Sequence, residues 1–143
     1  MLVRPITKEE RLQSAQLFAI AFESPFDPND LTPFAENPCI WAAFDEESGE
    51  MMSTVYVTDY RVQFDGGRYK MGGIGGVASL PQYRRAGGIR ACFQKALPIL
   101  YREGYVFSYL YPFSTAYYRK FGYESCVQRY LAVLDLRQPR PAE

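Results

Sequence analysis

MGGIGGVASLPQYRRAGGI, the stretch from Met71 to Ile89, reads as a glycine-rich strand, a turn broken by Pro81, two arginines and a glycine pair opening an amphipathic helix. In that order the pieces make a place for a phosphate group. The N–H groups at a helix start have no partner within the helix, and the helix dipole adds positive potential there. Gly87 and Gly88 take side chains out of the approach, while Arg84 and Arg85 add fixed positive charge. The expected occupant carries a pyrophosphate.

Two readings compete for the stretch. Gly73-Ile74-Gly75-Gly76-Val77-Ala78 matches the dinucleotide fingerprint G-x-G-x-x-G/A. That fingerprint requires a helix starting inside the glycines and an acidic residue about 20 positions later. The glycines instead run on into Ser79-Leu80-Pro81, and Lys95 to Leu100 offers no Asp or Glu. A nicotinamide site is therefore excluded by context. The second reading places the phosphate later, at Arg84-Arg85-Ala86-Gly87-Gly88-Ile89.

This later segment resembles the acyl-CoA signature of the GNAT acetyltransferase superfamily, [QR]-x-x-G-x-[GA], with Arg84 and Gly87 in place. Ile89 departs from the usual small third residue, and an aliphatic residue there resembles the Eis-like group of the superfamily. Ser114 to Tyr123, STAYYRKFGY, is similar to the superfamily's later motif F-Y-x-x-x-G-[FY]. Gly104 to Phe113 looks like the strand that precedes that motif in Eis-like proteins, so the resemblance covers about Pro5 to Leu136.

Composition bounds the function classes. The length of 143 residues suits one domain with a real core. Zero formal net charge gives no basic footprint for nucleic acid or an anionic membrane. No apolar run approaches a membrane span, and MLVRPITKEE lacks the apolar core of a signal peptide, so a cytoplasmic protein is expected. Cys39, Cys92 and Cys126 are odd in number and widely spaced, and are read as buried reduced thiols rather than a disulfide frame or zinc site. With no histidine, the chain has no Ser-His-Asp or Cys-His nucleophile and no His-based metal site. Proton transfer falls to Tyr, Cys, carboxylates, water or a chain terminus.

Along the chain, Leu2 to Ile6 reads as a strand and Thr7 to Phe22 as a helix. Thr7 and Glu10 form an S/T-x-x-E capping box, and Leu12, Ala15, Phe18, Ala19 and Phe22 share one face. Ser24 to Pro38 is a proline-rich acidic loop whose Phe26, Leu31 and Phe34 pack on the domain, with an acceptor wall as the alternative. Cys39 to Phe44 and Met51 to Phe64 read as strands, Asp65-Gly66-Gly67 as a hairpin turn, and Arg68 to Ser79 as the returning strand. Its glycines, Gly72, Gly73, Gly75 and Gly76, point to close backbone approach or a bulge.

Gly87 to Arg102 is the main helix, with Ile89, Cys92, Phe93, Ala96, Leu97 and Leu100 facing the core and Pro98 opposite. Tyr105 to Tyr111 is an aromatic strand, Ser114 to Lys120 a short helix capped by Ser114, and Tyr123 to Leu136 a strand pair or one bent strand. The order β-α-β-β-β-α-β-α-β predicts an α/β fold whose mixed, mostly antiparallel central sheet is flanked by helices. Residues 1–136 form one domain, and 137–143 read as a linker-like tail leading to a longer polypeptide.

The resemblance implies transfer of an acetyl group from acetyl-CoA to an amine by direct attack, with no metal. It implies that Val77, Ala78 and Ser79 pair with the pantetheine amides and that an N–H near Val77 or Ala78 serves the oxyanion. It assigns Arg84, Arg85, Ala86, Gly87, Gly88 and Ile89 to the pyrophosphate. Tyr118 stands where the superfamily commonly has the tyrosine that protonates the leaving thiolate; an ordinary tyrosine is protonated at neutral pH.

In the Eis-like group, the general base resembles a carboxylate from the end of a longer polypeptide, and full-length relatives oligomerise. The acceptor stays open among aminoglycosides, polyamines, protein lysines and amino-acid-derived amines. Asp27, Asp30 and Glu36 could favour cations or be a solvated loop. The rival class is a CoA-binding or interaction module without turnover.

Overall fold

The computed structural model describes residues 1–29, 39–128 and 130–133. The chain divides into two units, Met1–Phe113 and Ser114–Glu143. The first holds a five-stranded sheet: β1 (Leu2–Pro5), β2 (Cys39–Phe44), β3 (Met51–Phe64), β4 (Gly67–Ser79) and β5 (Tyr105–Leu110). The strands lie in chain order, antiparallel from β1 to β4, with β5 parallel to β4. A parallel neighbour requires a crossover, which is supplied by α2 (Gly88–Arg102). The mixed, mostly antiparallel sheet of the expected α/β class is thus present.

Alternation along β3 assigns the two helices to opposite faces. Gly88 of α2 sits over Ser53 and Ala43, and Leu100 comes down on Gly72 and Val57. On the other face, Ser14 of α1 (Arg11–Phe22) meets Tyr56, and Leu17 packs with Ala42, Phe44, Met51 and Ala78. Strand β2 from Ile40 to Phe44 and the first half of β3, Met51 to Val57, are covered on both sides and buried without interruption, which makes them the core. On α2 the expected face is the buried one: Cys92, Phe93, Ala96 and Leu100 are buried, and Pro98 is exposed.

The β3–β4 hairpin closes as its residues demand. Asp65 and Gly66 both have left-handed φ, 46° and 74°, between the paired Phe64 and Gly67, the geometry of a two-residue turn matched to strand twist. The second unit begins with α3 (Thr115–Arg119), where Ser114 Oγ accepts the Tyr117 N–H at 3.3 Å as the expected cap.

Four expectations are corrected. Helix α1 starts at Arg11, not Thr7, because only half the capping box forms. The Glu10 carboxylate accepts the Thr7 N–H at 2.8 Å, but both its oxygens are also held by Arg4 of β1, at 2.8 and 2.7 Å. The buried face of α1 is Ser14, Ala15, Leu17 and Ala19, while Leu12 and Phe22 are exposed, because the Ser14 hydroxyl is turned in to Tyr56. Cys126 is exposed and Cys39 half-buried, so only Cys92 fits the buried thiol expected of all three. Residues 123–128 and 130–133 form no regular strand. The expected loop residues Asp30, Leu31, Phe34 and Glu36 and the tail 137–143 lie outside the described residues.

Candidate functional site

Near its C-terminal end, strand β4 loses its β5 neighbour, and its register with β3 slips. Its parallel pairing with β5 runs from Lys70↔Tyr105 to Ile74↔Leu110 and stops there. Among the described residues, no strand pairs with Gly75–Ser79 on that edge. On the opposite edge the register with β3 slips between Thr54↔Ala78 and Tyr56↔Gly75. Gly76 and Val77 thus oppose the single residue Val55, which is a β-bulge.

Gly76 has φ +50°, and a Cβ built there would stand 2.6 Å from the Tyr56 ring. Close approach and left-handed backbone together leave room for glycine alone. The Gly76 carbonyl accepts a hydrogen bond from Thr54 Oγ1 at 3.0 Å. Tyr56 is buried, and its hydroxyl shares a 2.8 Å hydrogen bond with Ser14 Oγ. Burial pushes the Tyr56 pKa up, with the Ser14 hydrogen bond opposing. Tyr56 therefore stays neutral beneath the bulge.

After the bulge, Ser79 Oγ shares a 2.6 Å hydrogen bond with buried Ser53 Oγ, and the Leu80 N–H reaches Met52 O at 3.0 Å. The chain then makes a 3-10 turn, Pro81–Tyr83, and swings through Arg85 (φ 68°) and Gly87 (φ 86°) into α2. The first helical hydrogen bond is Ala91 N–H to Gly87 O, and Gly87 gives no side-chain cap. The N–H groups of Gly88, Ile89 and Arg90 thus have no acceptor among the described residues. Nor do exposed Arg84, Arg85 and Arg90 have an acidic partner there. Free donors, a helix dipole and uncommitted guanidinium groups concentrate positive potential at one spot.

Gly88 fixes that spot against the sheet: a Cβ on it would lie 2.5 Å from Ser53 Oγ. Gly87 meets nothing within 4 Å, so its side is open to a ligand.

The first unit thus brings together Val77, Ala78 and Ser79 on β4, Arg84, Arg85 and Ala86 on the turn, and Gly87, Gly88 and Ile89 at the start of α2. No helix begins inside Gly73–Ala78, which is strand throughout, in line with the exclusion of a dinucleotide fold. Tyr118 belongs to the second unit, in α3. It is buried, with Tyr117 and Tyr123 rings at 5.2 and 6.3 Å. Burial first, then the neighbouring tyrosines, push its pKa up to about 12.

The sequence reading passed over Ser53, Thr54 and Tyr56 as ordinary strand residues. A signal was present: Ser53-Thr54 places two adjacent hydroxyls inside the otherwise apolar run MMSTVYV, and buried hydroxyls need partners.

A family model for an acetyltransferase (GNAT) domain matches residues 2–126. Among solved structures, the chain is similar to a protein from Enterococcus faecalis V583 described as a conserved protein of unknown function, "Probable N-Acyltransferase". That likeness has 35% identity and a TM-score of 0.78, covering 86% of this chain and 32% of that one. The chain therefore spans about a third of that relative's length. Eis1 from Mycobacterium abscessus is similar in fold at 18% identity and TM-score 0.74, over 86% of this chain and 31% of that one. An acetyltransferase of Trypanosoma brucei, at 18% identity and TM-score 0.74, aligns over 93% of this chain and 99% of its own. No curated protein sequence matches this one.

Proposed function

Because this chain belongs to the acetyltransferase (GNAT) domain family, we propose that it transfers an acetyl group from acetyl-CoA to a primary amine of a small molecule or protein. The observation that carries the reading is the run along one piece of backbone: a bulge at Gly76-Val77, an edge from Gly75 to Ser79 without a strand partner among the described residues, and a donor-rich helix start at Gly88. The residues present fit an acyl-CoA. The Arg84 and Ala86 N–H groups are taken by Pro81 O and Tyr83 O, but Gly88 and Ile89 offer N–H groups, and Arg84 and Arg85 guanidinium groups, that have no partner among the described residues. A pyrophosphate could take them, and the open side of Gly87 lets it approach. Val77, Ala78 and Ser79 have backbone groups that can pair with the amides of a pantetheine arm as with a strand.

The thioester supplies the electrophilic carbonyl. The amine nitrogen forms the new bond to that carbon, the carbon–sulfur bond breaks, and the proton that the amine loses passes to water or to a base outside these residues. Of the two candidate donors, Val77 and Ala78, the Val77 N–H lies in the peptide that the bulge takes out of the ladder, and it stabilises the charge gathering on the carbonyl oxygen. Tyr118, protonated at neutral pH with its pKa pushed up to about 12, gives the proton that the sulfur takes. The resemblance at Ile89 favours the Eis-like group, in which further polypeptide supplies the base.

Calorimetric titration of acetyl-CoA into the chain, beside a Gly87→Asp variant, tests the reading. Asp tolerates left-handed φ better than most residues and meets no neighbour here, so the variant sets a carboxylate against the phosphate with little other disturbance. Micromolar binding by the wild type, weakened at least about tenfold in the variant, is expected. A folded wild type that binds no acetyl-CoA overturns the proposal. Binding without turnover over a broad amine panel would instead favour a CoA-binding module.

A further inference from the structure

We propose that Thr54 is a positioning residue that aims the Val77 N–H at the acyl carbonyl by holding the other end of the same peptide group. This inference rests on the acyltransferase reading above and concerns a residue that makes no contact with substrate.

A bulge leaves one peptide without its ladder partner, and an unpartnered peptide can rotate. Here the peptide between Gly76 and Val77 is that one, since both residues oppose Val55 alone. Thr54 Oγ1 donates to its carbonyl at 3.0 Å. Thr54 is fully buried at 0% exposure, and its hydrogen bond to half-buried Gly76 is shielded from water on the donor side. Among the described residues every peptide bond is trans, and in a trans peptide the C=O and N–H point in opposite directions. Fixing the Gly76 carbonyl toward Thr54 therefore turns the Val77 N–H away from Thr54.

Two further contacts stop the bulge from relaxing. The Tyr56 ring fills the space where a Gly76 side chain would stand, and the Tyr56 hydroxyl is tied to Ser14 Oγ of α1 at 2.8 Å. The ring also stacks on Phe18 at 6.0 Å. Tyr56 is thus a floor and Thr54 an anchor, one fixing the height of the bulge and the other its rotation. Neither touches a reacting atom. Their effect reaches the reaction through one backbone donor, whose direction matters because an oxyanion donor works only when aimed before the charge develops.

Thr54→Val, which keeps the shape and removes the hydroxyl, tests the anchor, with Thr54→Ser as the conservative rescue. The expected result for Thr54→Val is a kcat lowered by about 10- to 100-fold while acetyl-CoA affinity changes by less than about threefold. Thr54→Ser should recover most of the rate. Amide hydrogen exchange and the amide shift of Val77 are read in the free protein, and both should move in Thr54→Val and return in Thr54→Ser. A Thr54→Val variant whose Val77 amide behaves as in the wild type overturns the anchor, whatever the turnover. A wild type without acetyl-CoA binding sinks the acyltransferase reading instead, and the Val77 amide still decides whether Thr54 holds the bulge. A rate that falls only in step with acetyl-CoA affinity would make Thr54 a fold residue and overturn the aiming role.

Discussion

Tyr118, the proposed proton donor, shows how burial shifts the pKa of a single side chain. Removing a phenol from water disfavours the phenolate, so its pKa rises to about 12 from an ordinary 10.0. Such a group is protonated throughout the neutral range, as a proton donor to a leaving sulfur must be. Tyr118→Phe is therefore expected to lower kcat by about 100-fold with acetyl-CoA affinity unchanged, measured by steady-state kinetics beside calorimetry. In the wild type, no alkaline loss of rate due to Tyr118 should appear until the pH approaches 12. The same shift bears on stability. Because the folded pKa is the higher one, the contribution is whole below pH 10 and is lost as pH rises toward 12.

At the level of elements, the start of α2 is set by two adjacent glycines with different reasons to be there. Gly88 faces the sheet, where a methyl would stand 2.5 Å from Ser53 Oγ and 3.3 Å from Ala43 Cβ. Gly87 faces open space but has φ +86°. Gly88→Ala should therefore push the helix start off β3, costing about 1–3 kcal/mol as overpacking and weakening acetyl-CoA binding at the same time. Gly87→Ala should cost about 1 kcal/mol through backbone strain, without moving the helix. Thermal unfolding and acetyl-CoA titration of the two variants check the contrast; equal losses of affinity would contradict it. Helix α2 also carries Pro98, which removes a backbone donor from its interior, and the structure gives no reason for it.

Over the whole molecule, folding joins the edge of the sheet to α1 through one charged clasp. Arg4 on β1 holds the Glu10 carboxylate by two hydrogen bonds, and its guanidinium lies 4.3 Å from the centre of the Phe44 ring on β2. The Arg4 hydrogen bond lowers the Glu10 pKa from 4.5 to about 2, against the opposing effect of burial. A depressed folded-state pKa means stability that is present above pH 4.5 and lost as pH falls toward 2. Denaturant unfolding across that window should show a declining midpoint in the wild type. In Glu10→Gln this part of the decline should be absent, with lower stability at neutral pH. A variant that declines as steeply as the wild type would show that the clasp carries no acid sensitivity.

The sequence by itself determined the elements whose rules are local. Helical spacing named Cys92, Phe93, Ala96 and Leu100 as the buried side of α2, Asp65-Gly66 marked the turn, Ser114 marked a cap, and the glycine run followed by Arg84 to Gly88 marked a strand leading through a turn to a helix start. Each of these depends on residues within a few positions of one another, so one chain read in order is enough. Tertiary structure alone decided where the strand would bulge, because two residues facing one is a property of the β3–β4 register and not of β4. It also turned Ser14 inward, since its partner Tyr56 is 42 residues away, and gave Glu10 to Arg4 rather than to a full capping box. Thr54 belongs to the same class: a threonine in a strand is unremarked until folding leaves the Gly76 carbonyl beside it with no ladder partner.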